Sequence, residues 1–215
     1  MPEISRILKM IAWGQYVHWA HLQFVRFTSM EEEVSDGHRE GVVAHWLAAE
    51  YVVLEGWREL GFTTDTRISR LIQLYPENCE ALRLCRNAVY HFQSKILDKR
   101  IIKCIRDENE ELAWAAAIHG EFQNFLVSYP YLLPGALEEQ TEIADEMRKC
   151  IGWMPDECPR AGVLRMLQLC RRLEHLLAED VSPNGDEGRL LIKSTLERLA
   201  VVDQPFGSKL VRWPV

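Results

Sequence analysis

Apolar residues return every three or four positions over most of this chain, and no stretch longer than three or four residues alternates apolar with polar. This pattern narrows the fold more than any other feature. A repeat near 3.6 residues turns one face of a helix toward a core, whereas a half-buried strand needs a repeat of two. Residues 4–28 carry Ile4, Leu8 and Ile11, then Trp13, Tyr16, Val17, Ala20, Phe24 and Phe27 at helical spacing. A polar break at 30–37, with Asp36-Gly37 as its turn signal, separates this helix from a second over 39–60 that Gly61 ends.

The remaining segments follow the same rule. Thr64-Asp65 has the side chains of an N-cap for a short helix through Leu74. Pro76 opens a further helix, PENCEALRLCRNAVYHFQ, because a proline in the first turn removes only a donor that has no intrahelical partner. A charged stretch at 95–106 precedes a helix over 107–129, whose acidic start favours a helix N-terminus. YPYLLPG at 129–135 is a connector, and three more helices are expected at 136–150, 160–179 and about 187–201. The expected fold is all-α: residues 1–129 form the main bundle, and 136–215 supply additional C-terminal helices, part of the same domain or a small second unit.

At 215 residues the chain is long enough to bury a sizeable core. No apolar run approaches the roughly 18 residues that span a bilayer. The N-terminal segment, with Glu3, Arg6 and Lys9 among its first residues, lacks the form of a signal peptide, so no membrane contact and a cytoplasmic location are expected. The six cysteines contain no CxxC pair, and Cys79, Cys85, Cys104 and Cys170 fall among apolar neighbours, as buried free thiols do. The net charge of −7 argues against nucleic-acid binding by the whole surface, because such affinity comes from basic groups that displace counterions. Any nucleic-acid contact must be local, transient or confined to a site.

One segment carries chemistry. Residues 86–91 read Arg86-Asn87-Ala88-Val89-Tyr90-His91, after a helix that ends in Gly56-Trp57-Arg58-Glu59-Leu60 and a short helix. The looser Arg-x(4–6)-His pattern also occurs at Arg39 and His45, but only 86–91 has an Asn or Asp directly after the arginine. Over residues 40–127 the chain resembles the HEPN superfamily, helical bundles marked by an arginine, often followed by Asn or Asp, and a histidine a few residues later. The resemblance implies an up-and-down helical bundle, a homodimer in which two such helices meet across a two-fold axis, and RNA as substrate. It also implies cleavage that needs no metal or other cofactor and leaves a 2′,3′-cyclic phosphate and a 5′-OH, as in toxins and defence effectors held in check by an antitoxin-like protein partner.

The residue types suit that chemistry. Histidine titrates near neutrality and serves as a general base toward a ribose 2′-OH. Arginine offers a planar, permanently charged fork to a phosphate and to its more negative transition state. On a continuous helix Asn87 and His91 lie about 40° apart, so Asn87 is expected to orient the imidazole, while Arg86 and His91, about 140° apart, flank a wedge for substrate. Arg86, His91 and Asn87 are therefore the expected catalytic residues.

Supporting positions are expected around them. A carboxylate on the preceding helix, Glu50 or Glu55, can pair with Arg86 or polarise His91. Lys95, Lys99 and Lys103 recur every four residues, with Arg100 and Arg106 nearby, and can follow RNA phosphates or simply form a solvated face. His119 and Glu121 sit on a helix expected to pack close by. The tryptophans and tyrosines at helical spacing are expected in the core. Metal chemistry of the di-iron bundle type is not expected, since no histidine has a glutamate three residues before it. The alternative to an enzyme is a non-catalytic helical module that binds a protein or nucleotide partner.

Overall fold

The computed structural model describes residues 2–30, 35–62, 66–91 and 110–155. These residues form six α-helices and a single 3-10 turn, with no strand among them: α1 (Pro2–Thr28), α2 (Asp36–Leu60), α3 (Thr66–Leu74), α4 (Pro76–Tyr90), α5 (Glu110–Ser128), the 3-10 turn (Tyr129–Leu132) and α6 (Leu137–Ile151). The expected all-α class holds. The two C-terminal helices expected at 160–179 and 187–201, and the basic stretch at 95–106, lie outside the described residues.

Helix ends follow local chemistry. Gly61 adopts φ 64° after α2, and its N–H closes on the Arg58 carbonyl. A left-handed residue of this kind is most easily supplied by glycine. Pro76 occupies the first turn of α4. In α6, Glu138 and Glu139 lie in the first turn and Arg148 and Lys149 in the last, matching the positive and negative ends of the helix dipole.

Ring contacts give the helix directions. Trp13 meets Trp57 while Phe24 meets Trp46, so α1 and α2 run antiparallel. Trp57 meets Phe125 and Glu50 meets His119, so α2 and α5 run parallel. On α4, Tyr90 lies beside His45 near the start of α2, and Cys79 feels the Arg58 guanidinium near its end, so these two are antiparallel. Thus α1, α2, α4 and α5 form an up-down-up-down bundle, with short α3 between α2 and α4. Trp114 ties α5 to α3 by donating from its indole nitrogen to the Leu71 carbonyl, 3.2 Å away.

The core is built around aromatic rings. Trp13, Trp57, Phe62, Phe122, Phe125 and Tyr129 are all buried in one cluster. Trp13 donates from Nε1 to the Val53 carbonyl at 2.9 Å, which satisfies the only polar atom of a buried indole. This approach of α1 to α2 requires Gly56, where an added Cβ would stand 2.7 Å from Trp13 Cδ1. Ala144, Met147, Ile151 and Met154 join the same core, so α6 packs on the bundle rather than apart from it. Ile151 reaches α1 at Gly14, where an added Cβ would meet its Cδ1.

Candidate functional site

The face of α4 that carries Cys79, Leu82, Cys85 and Ala88 is buried against the bundle. Arg86 and Asn87 sit beside that face, half-buried, and Tyr90 is exposed. From there the Arg86 guanidinium crosses to α2. Its Nη2 donates to both carboxylate oxygens of Glu55, at 3.0 and 3.2 Å, and its Nη1 donates to Asn87 Oδ1 at 3.0 Å. The guanidinium carbon stands 5.4 Å from the centre of the Tyr51 ring. Burial, and then the neighbouring Glu55 carboxylate, push the Tyr51 hydroxyl upward, so it stays protonated and hydrogen-bonds to Glu55. Charge pairing, an amide and a ring face together hold Arg86 in one orientation. Of the two carboxylates singled out in the sequence, Glu55 is the one that pairs with Arg86.

His91 differs from the sequence-based picture. The helix ends at Tyr90, and His91 is its C-cap, exposed, with extended backbone at φ −118° and ψ 129°. The expectation that Asn87 and His91 share a helical face assumed a helix continuing to Gln93, and the geometry corrects it. The oxygen of Asn87 accepts from Arg86. No glycine, proline or asparagine marks the boundary in Val89-Tyr90-His91-Phe92-Gln93, so the pattern offered no stop signal. Lys95 and Lys99, with Arg100, Lys103 and Arg106, lie outside the described residues.

Alongside this end of α4 runs an open groove of about 250 Å³, lined by Tyr16, Trp19 and Gln23 of α1, His45, Ala49 and Val52 of α2, and Tyr90 of α4. Its presence corrects the assignment of every helically spaced Trp and Tyr to the core. Trp13, Trp46, Trp57, Trp114, Tyr51, Tyr129 and Tyr131 are buried, but Trp19 is 52% exposed and Tyr90 58%. Trp13 is followed one turn on by the buried Val17, and Trp19 by Gln23 at the rim of the groove.

No protein-family model, curated protein or solved structure matches the chain.

Glu50 does not join Arg86. It is fully buried, five residues before Glu55, and faces α5, where His119 Nδ1 donates to its Oε2 at 3.0 Å. Gln123 donates from its side-chain amide to His119 Nε2 at 2.8 Å and to His21 Nδ1 at 2.7 Å. The rings of His18 and His21 stack on Trp153, with centroids 5.0 and 4.5 Å away. Burial lowers the His21 imidazole to about 4, assisted by His119 and then by His18. This chain of polar groups links α1, α2 and α5 in the interior, where His119 is only 2% exposed. Among the described residues, no three His, Cys, Asp or Glu side chains gather as a metal site. The sequence signal of the buried polar chain is a charged or polar residue set within an apolar stripe on each helix: Glu50 between Ala49 and Tyr51, and His119 after Ala115-Ala116-Ala117-Ile118. Glu121 is half-buried on α5 and pairs with Arg67 at 3.3 Å.

The thiols are as expected where described. Cys79 and Cys85 are buried and free, and Cys85 donates from Sγ to the Ala44 carbonyl at 3.5 Å. Burial pushes the Cys79 thiol up, away from the reactive thiolate. Cys150 is free and exposed, while Cys104, Cys158 and Cys170 lie outside the described residues. No described helix is long and apolar enough to cross a membrane.

Proposed function

We propose that the chain is a metal-independent endoribonuclease of the HEPN type, acting as a homodimer in the cytoplasm as a toxin or defence effector restrained by an antitoxin-like protein. The observation that carries this reading is the end of α4. Arg86 is fixed by Glu55 and Asn87, and the exposed His91 imidazole follows five residues later where the chain leaves the helix.

His91 takes the proton of a ribose 2′-OH, and the freed 2′ oxygen attacks the adjacent phosphorus. The bond from phosphorus to the 5′ oxygen breaks, leaving a 2′,3′-cyclic phosphate, and the departing 5′ oxygen takes a proton from water. Arg86 stabilises the extra negative charge on the five-coordinate phosphorus. Asn87 and Glu55 hold Arg86 in place rather than touching the reacting atoms. An incoming phosphate shares the guanidinium with Glu55 through the N–H groups that Glu55 and Asn87 leave unused.

General-base loss costs a rate factor of about 10² to 10⁴, which is the drop expected for His91→Ala on single-stranded RNA in EDTA. A second reading, a non-catalytic module for a protein or nucleotide partner, draws support from the exposed aromatic groove beside α4. The two separate in one assay: a binding module leaves an RNA pool intact over long incubation while a stable partner co-purifies.

A further inference from the structure

The groove between α1 and α4 takes no part in the cleavage chemistry assigned to Arg86 and His91, and its composition is specific. Two ring pairs form its sides: Tyr16 and Trp19, centroids 5.0 Å apart and tilted 75°, and His45 and Tyr90, 6.1 Å apart and tilted 71°. Ala49 and Val52 supply a low floor, and Gln23 adds a carboxamide with both a donor and an acceptor. Pockets for drug-sized ligands run upward from about 300 Å³. At about 250 Å³ this groove suits one flat ring system rather than a larger ligand.

Its position ties it to Arg86. Tyr90 lies one turn beyond Arg86 on α4, and Val52 lies three residues before Glu55 on α2, so the groove and the Arg86–Glu55 pair share adjacent faces of the same two helices. One turn is about 5.4 Å, comparable to the reach from a base to the phosphate of its own nucleotide. Net charge decides between ways of holding RNA. A chain at −7 gains little from following phosphates, so affinity has to come from stacking, which needs only a π face on the base and tolerates any sequence. An aliphatic knob from a protein helix would leave the Gln23 amide and the His45 imidazole facing apolar atoms, whereas the edge of a base gives both a partner.

We infer that this groove seats one unpaired base of single-stranded RNA, stacked against Trp19 and Tyr90, so that the adjoining phosphate comes to Arg86. The inference rests on the RNA reading of the site and names how that substrate is held. It makes the protein selective for unpaired strands, since a base inside a duplex cannot leave its stack without cost.

The test measures binding apart from cleavage. A single-stranded RNA hexanucleotide is titrated into His91→Ala protein, and into the same protein also carrying Trp19→Ala or Tyr90→Ala. A hexanucleotide with abasic positions and a blunt RNA duplex serve as further probes. Both substituted side chains are more than half exposed, and thermal melting of each variant checks that the fold is kept. The expected result is an affinity loss on the order of tenfold for each substitution, recovered by Trp19→Phe, with a similar loss for the abasic strand and weak binding of the duplex. Equal affinity for the hexanucleotide in all variants would overturn the inference, as would equal affinity for intact and abasic strands. A groove that instead seats a protein helix gives that same null result. Trp19-dependent binding without cleavage by wild-type protein would leave this inference standing while removing the nuclease reading, so the two failures are distinct.

Discussion

Arg86 of α4 and Glu55 of α2 are joined through one guanidinium nitrogen that lies 3.0 and 3.2 Å from the two carboxylate oxygens. Both side chains are about one-third exposed. An ion pair at that depth contributes little to stability, about 0.2–1 kcal/mol, so its larger effect is on where Arg86 points. Glu55→Ala is expected to leave the melting temperature within a few degrees of wild type. It should slow RNA cleavage through a looser Arg86, and Glu55→Gln, which keeps hydrogen-bond acceptance, should recover part of the rate. A thermal melt beside a cleavage time course checks both. A Glu55→Ala protein that melts normally and cleaves at the wild-type rate would remove Glu55 from the site.

The buried pair behaves oppositely. Glu50 and His119 are 0% and 2% exposed and bonded at 3.0 Å, so removing either one leaves a buried polar atom of the other without this bond. Leaving a buried polar group unsatisfied in this way costs about 1–3 kcal/mol. Denaturant unfolding of Glu50→Ala should show a loss in that range, and His119→Ala should show a similar one. The pair lies away from Arg86, so protein that remains folded should keep its activity.

His21 sets a pH dependence of stability. Its imidazole is held near 4 in the folded chain, against an ordinary value of 6.5. Between those two values the unfolded chain binds a proton that the folded chain refuses, so stability falls as pH is lowered from 6.5 toward 4 and is independent of this group above 6.5. The groups that face it are His119 and Gln123 of α5, His18 one turn away on α1, and the Trp153 ring, with Glu50 behind His119. Melting temperatures collected across this window should drop for wild type and drop less for His21→Gln. Parallel curves for the two proteins would contradict the assignment.

Gly56→Ala tests the closest helix approach. The new Cβ would stand 2.7 Å from Trp13 Cδ1, on an indole already fixed by its bond to Val53. Alanine improves helix propensity by up to about 1 kcal/mol, but overpacking against a rigid ring costs about 1–3 kcal/mol. Net destabilisation is expected, seen as a lower urea midpoint with an unchanged slope. The same substitution at Gly41, which has open space around it, should be neutral or stabilising.

Much of the fold was legible in the residues themselves. Gly61 and Pro76 marked boundaries that the structure keeps, because left-handed φ and a missing N–H are local properties of single residues. Apolar spacing located α1, α2 and α5 because burial repeats with the helix. The end of α4 was not legible: nothing in Tyr90-His91-Phe92 forbids a helix, and the turn out of it depends on what surrounds it. Glu55 was one of two carboxylates that spacing alone could not separate. Glu50 and Glu55 differ by five residues, about 140° of rotation, and which one faces α4 depends on how the neighbouring helices pack. The groove was missed because composition does not tell a tryptophan that faces the core from one that faces a gap between helices.

The central claim is that Arg86 and His91 act together on RNA. Its most direct measurement is incubation of wild-type, His91→Ala and Arg86→Ala proteins with a mixed single-stranded RNA pool in EDTA, followed by analysis of the product ends. The account predicts 2′,3′-cyclic phosphate ends from wild type, and rates lowered at least a hundredfold by either substitution in proteins that melt normally. Wild-type rates in both variants, or no cleavage by wild-type protein, would contradict it.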